Sequence, residues 1–418
     1  MKILIVNTND INGGAARAAY RLHQSLINTD ISSEMLVITK QSDDCTVLSL
    51  SQSVGKIRQR LRRLQFFFLD KMKNYPNRTK TLFSPSYLKY SEIVDKINEI
   101  NPDIVHLHWI CNEMIRVEEL GRIKAPIVWS LHDMWSFTGG CHYDEECGRY
   151  VDSCGQCKVL KSIENNDLSR DVFIRKHKTY SQIDNLTIVG LSHWLSDCAK
   201  ESSLFNNRKV VTIPNPIDTN IFKPIDKRRA REIFSLPKDK KLILFGAMSS
   251  TGDPRKGFLL LQEAINKLKL ENVEIVIFGS GEPKNPPSLK FKVRYLGQLQ
   301  DDSSLQVLYS ACDVMVVPSI QENLSNTIME SLACATPVVG FSIGGNADLI
   351  SHRENGYLAR ALEVTDLAKG IDWVLTDANY DELCRNARES VMSKFESSKV
   401  VNQYVTLYEE ALARRVVN

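Results

Sequence analysis

The chain has 418 residues, 43% of them hydrophobic and 25% charged, the make-up of an ordinary globular protein that is too long for one common core, so two domains are expected. A formal net charge of +3 is too small to imply a nucleic-acid partner by itself. No apolar run reaches the roughly 18 residues that a membrane helix needs, and the opening MKILIVNTND is a short apolar strand rather than a secretion signal. The expectation is a cytoplasmic protein, whose ten cysteines in a reducing compartment argue against a disulfide framework.

In chain order, Lys2–Val6 is a β-branched run that ends in Asn7-Thr8-Asn9-Asp10 and a Gly13-Gly14 turn. The helix that follows carries an apolar stripe of Ala15, Ala16, Ala19, Leu22 and Leu26. Gly13 and Gly14 fit a turn in which helix and strand pack closely. Further strands are expected at Met35–Thr39, Ile104–His108, Ile127–His132, Thr187–Leu191 and Val210–Ile213. Strands alternating with helices imply a parallel sheet covered on both faces. The proline-rich stretch from Ile213 to Pro224 marks a domain boundary. A second series follows at Leu242–Gly246, Val273–Gly279, Val293–Gly297, Asp313–Val317 and Pro337–Phe341, and a last helix spans about Ser397 to Arg415. The expected divisions are 1–212, 213–396 and a C-terminal helix at 397–418.

Two segments stand apart from this alternation. Gly55 to Lys80 holds nine Lys and Arg against the single acid Asp70, around Phe66-Phe67-Phe68-Leu69. A solvated helix with one packing face would account for it; so would an interfacial helix on an anionic membrane. No nucleic-acid motif lies nearby. The loop 139–158 contains Cys141, Cys147, Cys154 and Cys157 at spacing C-x5-C-x6-C-x2-C. Four thiolates so close together suit a closed, structural zinc, and a free-thiol loop is the even alternative.

The most informative stretch is Val314 to Ile350. Glu322 follows a buried-strand pattern and Glu330 lies eight residues on, inside a helical pattern. About two helical turns separate the carboxylates, and the first helical amides between them are open to a phosphate. With Pro318-Ser319 before and Thr336-Pro337 and Gly344-Gly345 after, this composite resembles the donor-sugar site of family 4 retaining glycosyltransferases, and the N-terminal half, with His106-Leu107-His108-Trp109 and the four-Cys loop, looks like bacterial enzymes that build exopolysaccharide, O-antigen or colanic-acid-type glycans.

The resemblance implies an α/β protein of the GT-B fold, two doubly wound Rossmann-like domains facing across a cleft, with the C-terminal helix packing back on the N-terminal domain. It implies that Glu322 holds donor-sugar hydroxyls and Glu330 the ribose, with backbone amides of Leu324, Ser325, Asn326 and Thr327 toward phosphate. Arg255 and Lys256 would carry the charge of the leaving diphosphate. The family's usual Gly-Arg after this strand is Gly246-Ala247 here, and its aromatic-Gly pair after the first Glu is Leu324-Ser325. Gly279, Gly281 and Gly297 look like the nucleotide-side loops, Gly13 and Gly14 at the first turn near the cleft would also line the donor site, and His132 matches the histidine near sugar and acceptor. His106 and His108 read as packing or acceptor-side groups. Catalysis would need no metal or other cofactor. The donor would be a nucleotide sugar and the acceptor a polyprenyl-linked oligosaccharide at the inner membrane surface, so the protein would be cytoplasmic or peripheral on that membrane. The rivals are a GT-B sugar-nucleotide 2-epimerase and a non-catalytic membrane-docking protein of the same fold.

Overall fold

A computed structural model describes residues 1–50, 71–88, 91–246, 252–283, 289–299 and 301–417. They form two compact units, Met1–Asn215 with Val401–Asn418, and Pro216–Val400. Each is a parallel α/β sheet flanked by helices. Residues 55–70 of the basic and aromatic segment lie outside the described residues; its end forms a short 3-10 turn, Lys71–Asn74. No helix among the described residues is long and apolar enough to cross a membrane.

The first unit contains β1 (Lys2–Asn9), β2 (Ser32–Thr39), β3 (Val47–Ser49), β4 (Ile104–Leu107), β5 (Ile127–Leu131), β6 (Leu186–Gly190) and β7 (Lys209–Thr212). Their order is β3-β2-β1-β4-β5-β6-β7, with every pair parallel. The central strands β4, β5 and β6 are buried along their whole length, as a strand with helices on both faces must be. The strand order turns back between β1 and β4. Such a switch point opens a crevice outside the carboxyl ends of the strands, where ligands of open α/β sheets bind. After β1, Gly13 has φ +109° and an added Cβ would meet nothing within 4 Å among the described residues. Backbone conformation rather than close packing is what requires glycine there.

The second unit contains β8 (Lys241–Gly246), β9 (Val273–Phe278), β10 (Lys292–Tyr295), β11 (Val314–Val317), β12 (Val338–Phe341) and β13 (Gly356–Ala359). The order is β10-β9-β8-β11-β12-β13, and the switch point falls between β8 and β11. Asp313 ties the strand entrances together: it is buried, and its carboxylate meets Arg231 Nη2 at 2.7 Å, Lys227 Nζ at 2.8 Å and the Leu242 amide at 2.7 Å.

Two strands are new relative to the sequence reading. β3 has three residues and β13 four, too short to show a period. Of the three histidines expected inside strands, His106 lies in β4, and His108 and His132 fall one residue beyond β4 and β5. The helix Ser397–Val417 enters the first unit from Val401 on. Its buried residues Val401, Tyr404, Leu407, Tyr408 and Ala411 recur at helical spacing. Tyr408 Oη lies 2.7 Å from His106 Nδ1, and Tyr404 Oη 3.0 Å from Ser130 Oγ.

Candidate functional site

In the second unit the loop after β8 and the loop after β11 flank the switch point. Pro254–Lys256 forms a 3-10 turn capped by Asp253, whose side chain accepts from the Arg255 amide at 3.0 Å. Gly257 then takes φ +71°, and a Cβ there would sit 1.8 Å from the Pro318 carbonyl oxygen. The Ile320 amide donates to the Arg255 carbonyl at 2.8 Å. These contacts press the β8 loop against the start of the β11 loop. They place Lys256 Nζ 2.8 Å from Glu322 Oε2, although the two are 66 residues apart.

Arg255 is engaged differently. Its Nη2 donates to Asp253 Oδ2 at 2.7 Å and its Nε to Oδ1 at 3.2 Å. Burial raises the Asp253 carboxyl, but the Arg255 guanidinium outweighs it and holds the group below the usual carboxylate range. Asp253 is thus a member of the site that sequence reasoning missed; the signal was its place two residues before the Arg-Lys pair.

Glu330 sits in the second turn of the helix Asn326–Ala333 and is 2% exposed. Its Oε2 accepts from Tyr309 Oη at 2.8 Å, so Tyr309 orients the carboxylate from beneath. Leu324 and Ser325 are also buried, with Ser325 Oγ 3.0 Å from Thr327 Oγ1. At the ends of β9 and β10, Gly279 (φ +83°) donates its amide to the carbonyl of Gly297 (φ +68°) at 2.7 Å. Beyond them, an added Cβ at Gly281 would meet nothing within 4 Å among the described residues. The second unit thus brings Lys256, Glu322 and Arg255 into one loop pair. It keeps Glu330 in the adjoining helix and pairs Gly279 with Gly297 at the ends of neighbouring strands.

The first unit carries its own constellation at the carboxyl ends of β1, β4 and β5. Asn7 Oδ1 accepts from the Trp109 amide at 2.8 Å, fixing the turn after β4. His108 Nδ1 and His132 Nε2 are 2.9 Å apart. Asp133 Oδ2 accepts from Trp109 Nε1 at 2.9 Å and from His142 Nδ1 at 2.6 Å, and its Oδ1 from the Trp135 amide at 2.9 Å. His142 Nε2 reaches Ser84 Oγ at 2.9 Å. Burial pushes His132 down to about 4, against the opposing pull of Asp133. Burial and then the His132 ring push His106 down to about 3. Burial and the two neighbouring rings hold His108 well below its ordinary value. These three imidazoles are therefore neutral near pH 7. For Asp133, burial raises the carboxyl, but the charge and hydrogen bond of His142 outweigh it and keep it ionised. Asp133 and His142 went unremarked in the sequence, and Trp109 was noted only as the end of the His106–Trp109 run. The repeated pattern of His beside Trp or Asp just past two strands was the available signal.

The four cysteines lie together, Cys141, Cys154 and Cys157 buried and Cys147 half-buried, close enough for Cys141 to feel the charge of each of the other three. Burial raises every one of these thiols. The sulfurs accept backbone amides: Gly139 to Cys154 at 3.1 Å, Arg149 to Cys147 and Val159 and Leu160 to Cys157. Among the described residues no group of three or more His, Cys, Asp and Glu is arranged to hold a metal ion, so the zinc expectation rests on cysteine spacing alone.

Residues 239–377 match the family Glycosyl transferases group 1. An uncharacterized glycosyltransferase of Methanocaldococcus jannaschii is 28% identical over 76% of this chain and 86% of its own length. Sucrose-phosphate synthase from Thermosynechococcus elongatus superposes with a TM-score of 0.68 at 18% identity, covering 99% of this chain and all (100%) of the other. Anabaena HepE in complex with UDP-glucose does so with a TM-score of 0.65 at 15% identity, covering 98% and 100%. The two structures share the GT-B fold with this chain, and the sequence likenesses support a group 1 glycosyltransferase.

Proposed function

We propose, starting from a group 1 glycosyltransferase of the GT-B fold, that the chain moves a sugar from a nucleotide-sugar donor, held by the second unit, to a lipid-linked glycan in surface polysaccharide synthesis. The observation that carries the donor site is the Lys256–Glu322 ion pair of 2.8 Å at the switch point of the second sheet. A diphosphate arriving there competes for the Lys256 ammonium, and Glu322 is then released to accept hydroxyls of the donor sugar. Arg255, already oriented by Asp253, adds a second cation for the charge that develops on the leaving group. Glu330, anchored by Tyr309, takes the ribose hydroxyls. Leu324 to Thr327 offer amides to the phosphates, and Gly279, Gly281 and Gly297 let the backbone approach the nucleotide.

In this reading the transfer retains configuration and needs no metal. The bond from the anomeric carbon to the diphosphate oxygen breaks, and the acceptor hydroxyl bonds to the same face. The hydroxyl proton passes to the departing phosphate oxygen. His132 stands on the acceptor side, with Gly13 and Gly14 in the neighbouring loop. The basic and aromatic segment 55–80 supports an acceptor presented at the inner face of the cytoplasmic membrane. Neither an epimerase nor a non-catalytic docking protein is favoured by the likenesses above.

The test is thermal stabilisation of the purified chain by a panel of UDP-, GDP-, dTDP- and ADP-sugars, UDP-glucose first because the similar HepE structure holds it. Ligand that binds only the native state raises the midpoint by mass action. The expected outcome is a shift with one nucleotide class, lost in Glu330→Ala. No shift with any donor contradicts the proposal.

A further inference from the structure

The first unit holds a line of three polar side chains that sugar transfer leaves unused. Ser84 Oγ is 2.9 Å from His142 Nε2, and His142 Nδ1 is 2.6 Å from Asp133 Oδ2. Asp133 is fixed in turn by Trp109 Nε1 and the Trp135 amide, each donating at 2.9 Å. An ionised carboxylate only accepts, so the His142 ring carries a proton at Nδ1. In the neutral ring Nε2 then accepts, and the Ser84 hydroxyl donates to it. A hydroxyl, an imidazole within hydrogen-bond reach and a third group that orients the imidazole are what activates a serine, on whatever fold they meet.

Two further observations set this line apart from ordinary core packing. The Ser84 backbone is clamped on both sides: its amide donates to the Gly140 carbonyl at 2.8 Å, and its carbonyl accepts from Trp135 Nε1 at 2.7 Å. Ser84 also lines a cavity of about 740 Å³, within the usual size of a small-molecule site. Leu82 and Pro85 give that cavity apolar surface on either side of Ser84, Asn112 offers a side-chain amide, and Arg78 and Lys80 bring exposed positive charge.

We propose that Ser84, His142 and Asp133 form an acyl-transfer centre apart from the donor site, whose substrate is a carboxylic ester on a negatively charged partner. Ser84 Oγ bonds to the ester carbonyl carbon while its proton passes to His142 Nε2. The bond from that carbon to the alcohol oxygen breaks, and the departing alcohol takes the proton. Water then attacks the acyl-Ser84 in the same way and releases the carboxylic acid. The Asn112 amide serves the carbonyl oxygen as it turns negative, Arg78 and Lys80 attract the charged partner, and Asp133 is a positioning residue that keeps the His142 ring in the accepting tautomer. None of this depends on the glycosyltransferase reading of the second unit.

A fluorophosphonate probe, which bonds to an activated serine with loss of fluoride, tests the centre on the folded full chain, with peptide mass spectrometry locating the adduct. The expected result is an adduct on Ser84 in the native chain and none when the chain is unfolded in urea before the probe is added. No adduct on Ser84, or an equal one in the unfolded chain, overturns the proposal. His142→Gln is expected to slow labelling at least about 100-fold, the lower end of what a positioned general base contributes. Asp133→Asn, which no longer fixes the Nδ1 proton, is expected to slow it as well. Labelling at the full rate in either variant, with its near-ultraviolet circular dichroism unchanged, also overturns the proposal.

Discussion

Lys256 and Glu322 show how a site divides between what a residue is and what it touches. Each was visible in the sequence as a separate member of a pattern. Their ion pair was not, because it depends on Gly257 and Pro318 pressing two loops together across 66 positions. Asp253 escaped notice for a similar reason: an acid two residues before Arg-Lys reads as turn chemistry until its carboxylate is seen on the guanidinium. The same holds for His108 and His132, which chain order separates by 24 residues and β4 and β5 bring together. At this scale Lys256→Ala is expected to lower kcat/KM for the donor by about 100-fold, the usual cost of one preorganised charge on a leaving group, with an unchanged melting midpoint. Steady-state kinetics and a melting curve on the same preparation check both halves. Glycines divide by cause. Gly257→Ala meets both a positive φ and a carbonyl at 1.8 Å and is expected to lower the midpoint sharply. Gly281→Ala meets neither and is expected to leave stability unchanged, which differential scanning calorimetry of the two variants resolves.

Elements were legible where physics writes a long signal. The buried strands β1, β8 and β9 each carry an apolar run of four residues, Ile3–Val6, Leu242–Phe245 and Ile275–Phe278, and the helices around them carry stripes, so both series could be read. β3 and β13 could not, since three or four residues that merely extend a sheet edge carry no period. The entrance of the second sheet was also illegible, because Arg231, Lys227 and Asp313 converge from elements 82 and 86 residues apart. That cluster gives an element-scale prediction. Asp313→Ala leaves the buried Arg231 guanidinium without a carboxylate, held by backbone carbonyls of Ala311, Pro237, Lys238 and Lys240 alone, and removal of one partner of such a buried ion pair costs about 3–5 kcal/mol. Denaturant titration should show the loss, and a change below about 1 kcal/mol, the worth of an exposed pair, would contradict the buried geometry.

For the molecule as a whole, the parallel series of strands on either side of the proline-rich stretch made two α/β units readable from the chain alone. The first unit also carries a pH response. His23 and His106 are buried and His132 is half-buried, and loss of hydration depresses them from 6.5 to about 4, 3 and 4. A depressed group contributes its stability fully above its unfolded value, and the contribution is lost as pH falls toward the folded value. Stability is therefore expected to decline from about pH 6.5 downward, before most carboxylates begin to protonate. His23→Gln should reduce that slope. A denaturation midpoint that stays flat between neutral pH and the onset of carboxylate protonation would contradict the burial of these rings.

The most direct measurement of the central claim is titration calorimetry of nucleoside diphosphates into the full chain and three variants. The account expects one nucleotide to bind the wild type, Lys256→Ala and Glu330→Ala each to weaken it at least about tenfold, roughly one charge-assisted hydrogen bond, and His132→Ala to leave it unchanged, since His132 belongs to the other unit. Equal binding by the wild type, Lys256→Ala and Glu330→Ala, or binding lost only with His132, would contradict a donor site built on β8, β11 and the helix Asn326–Ala333.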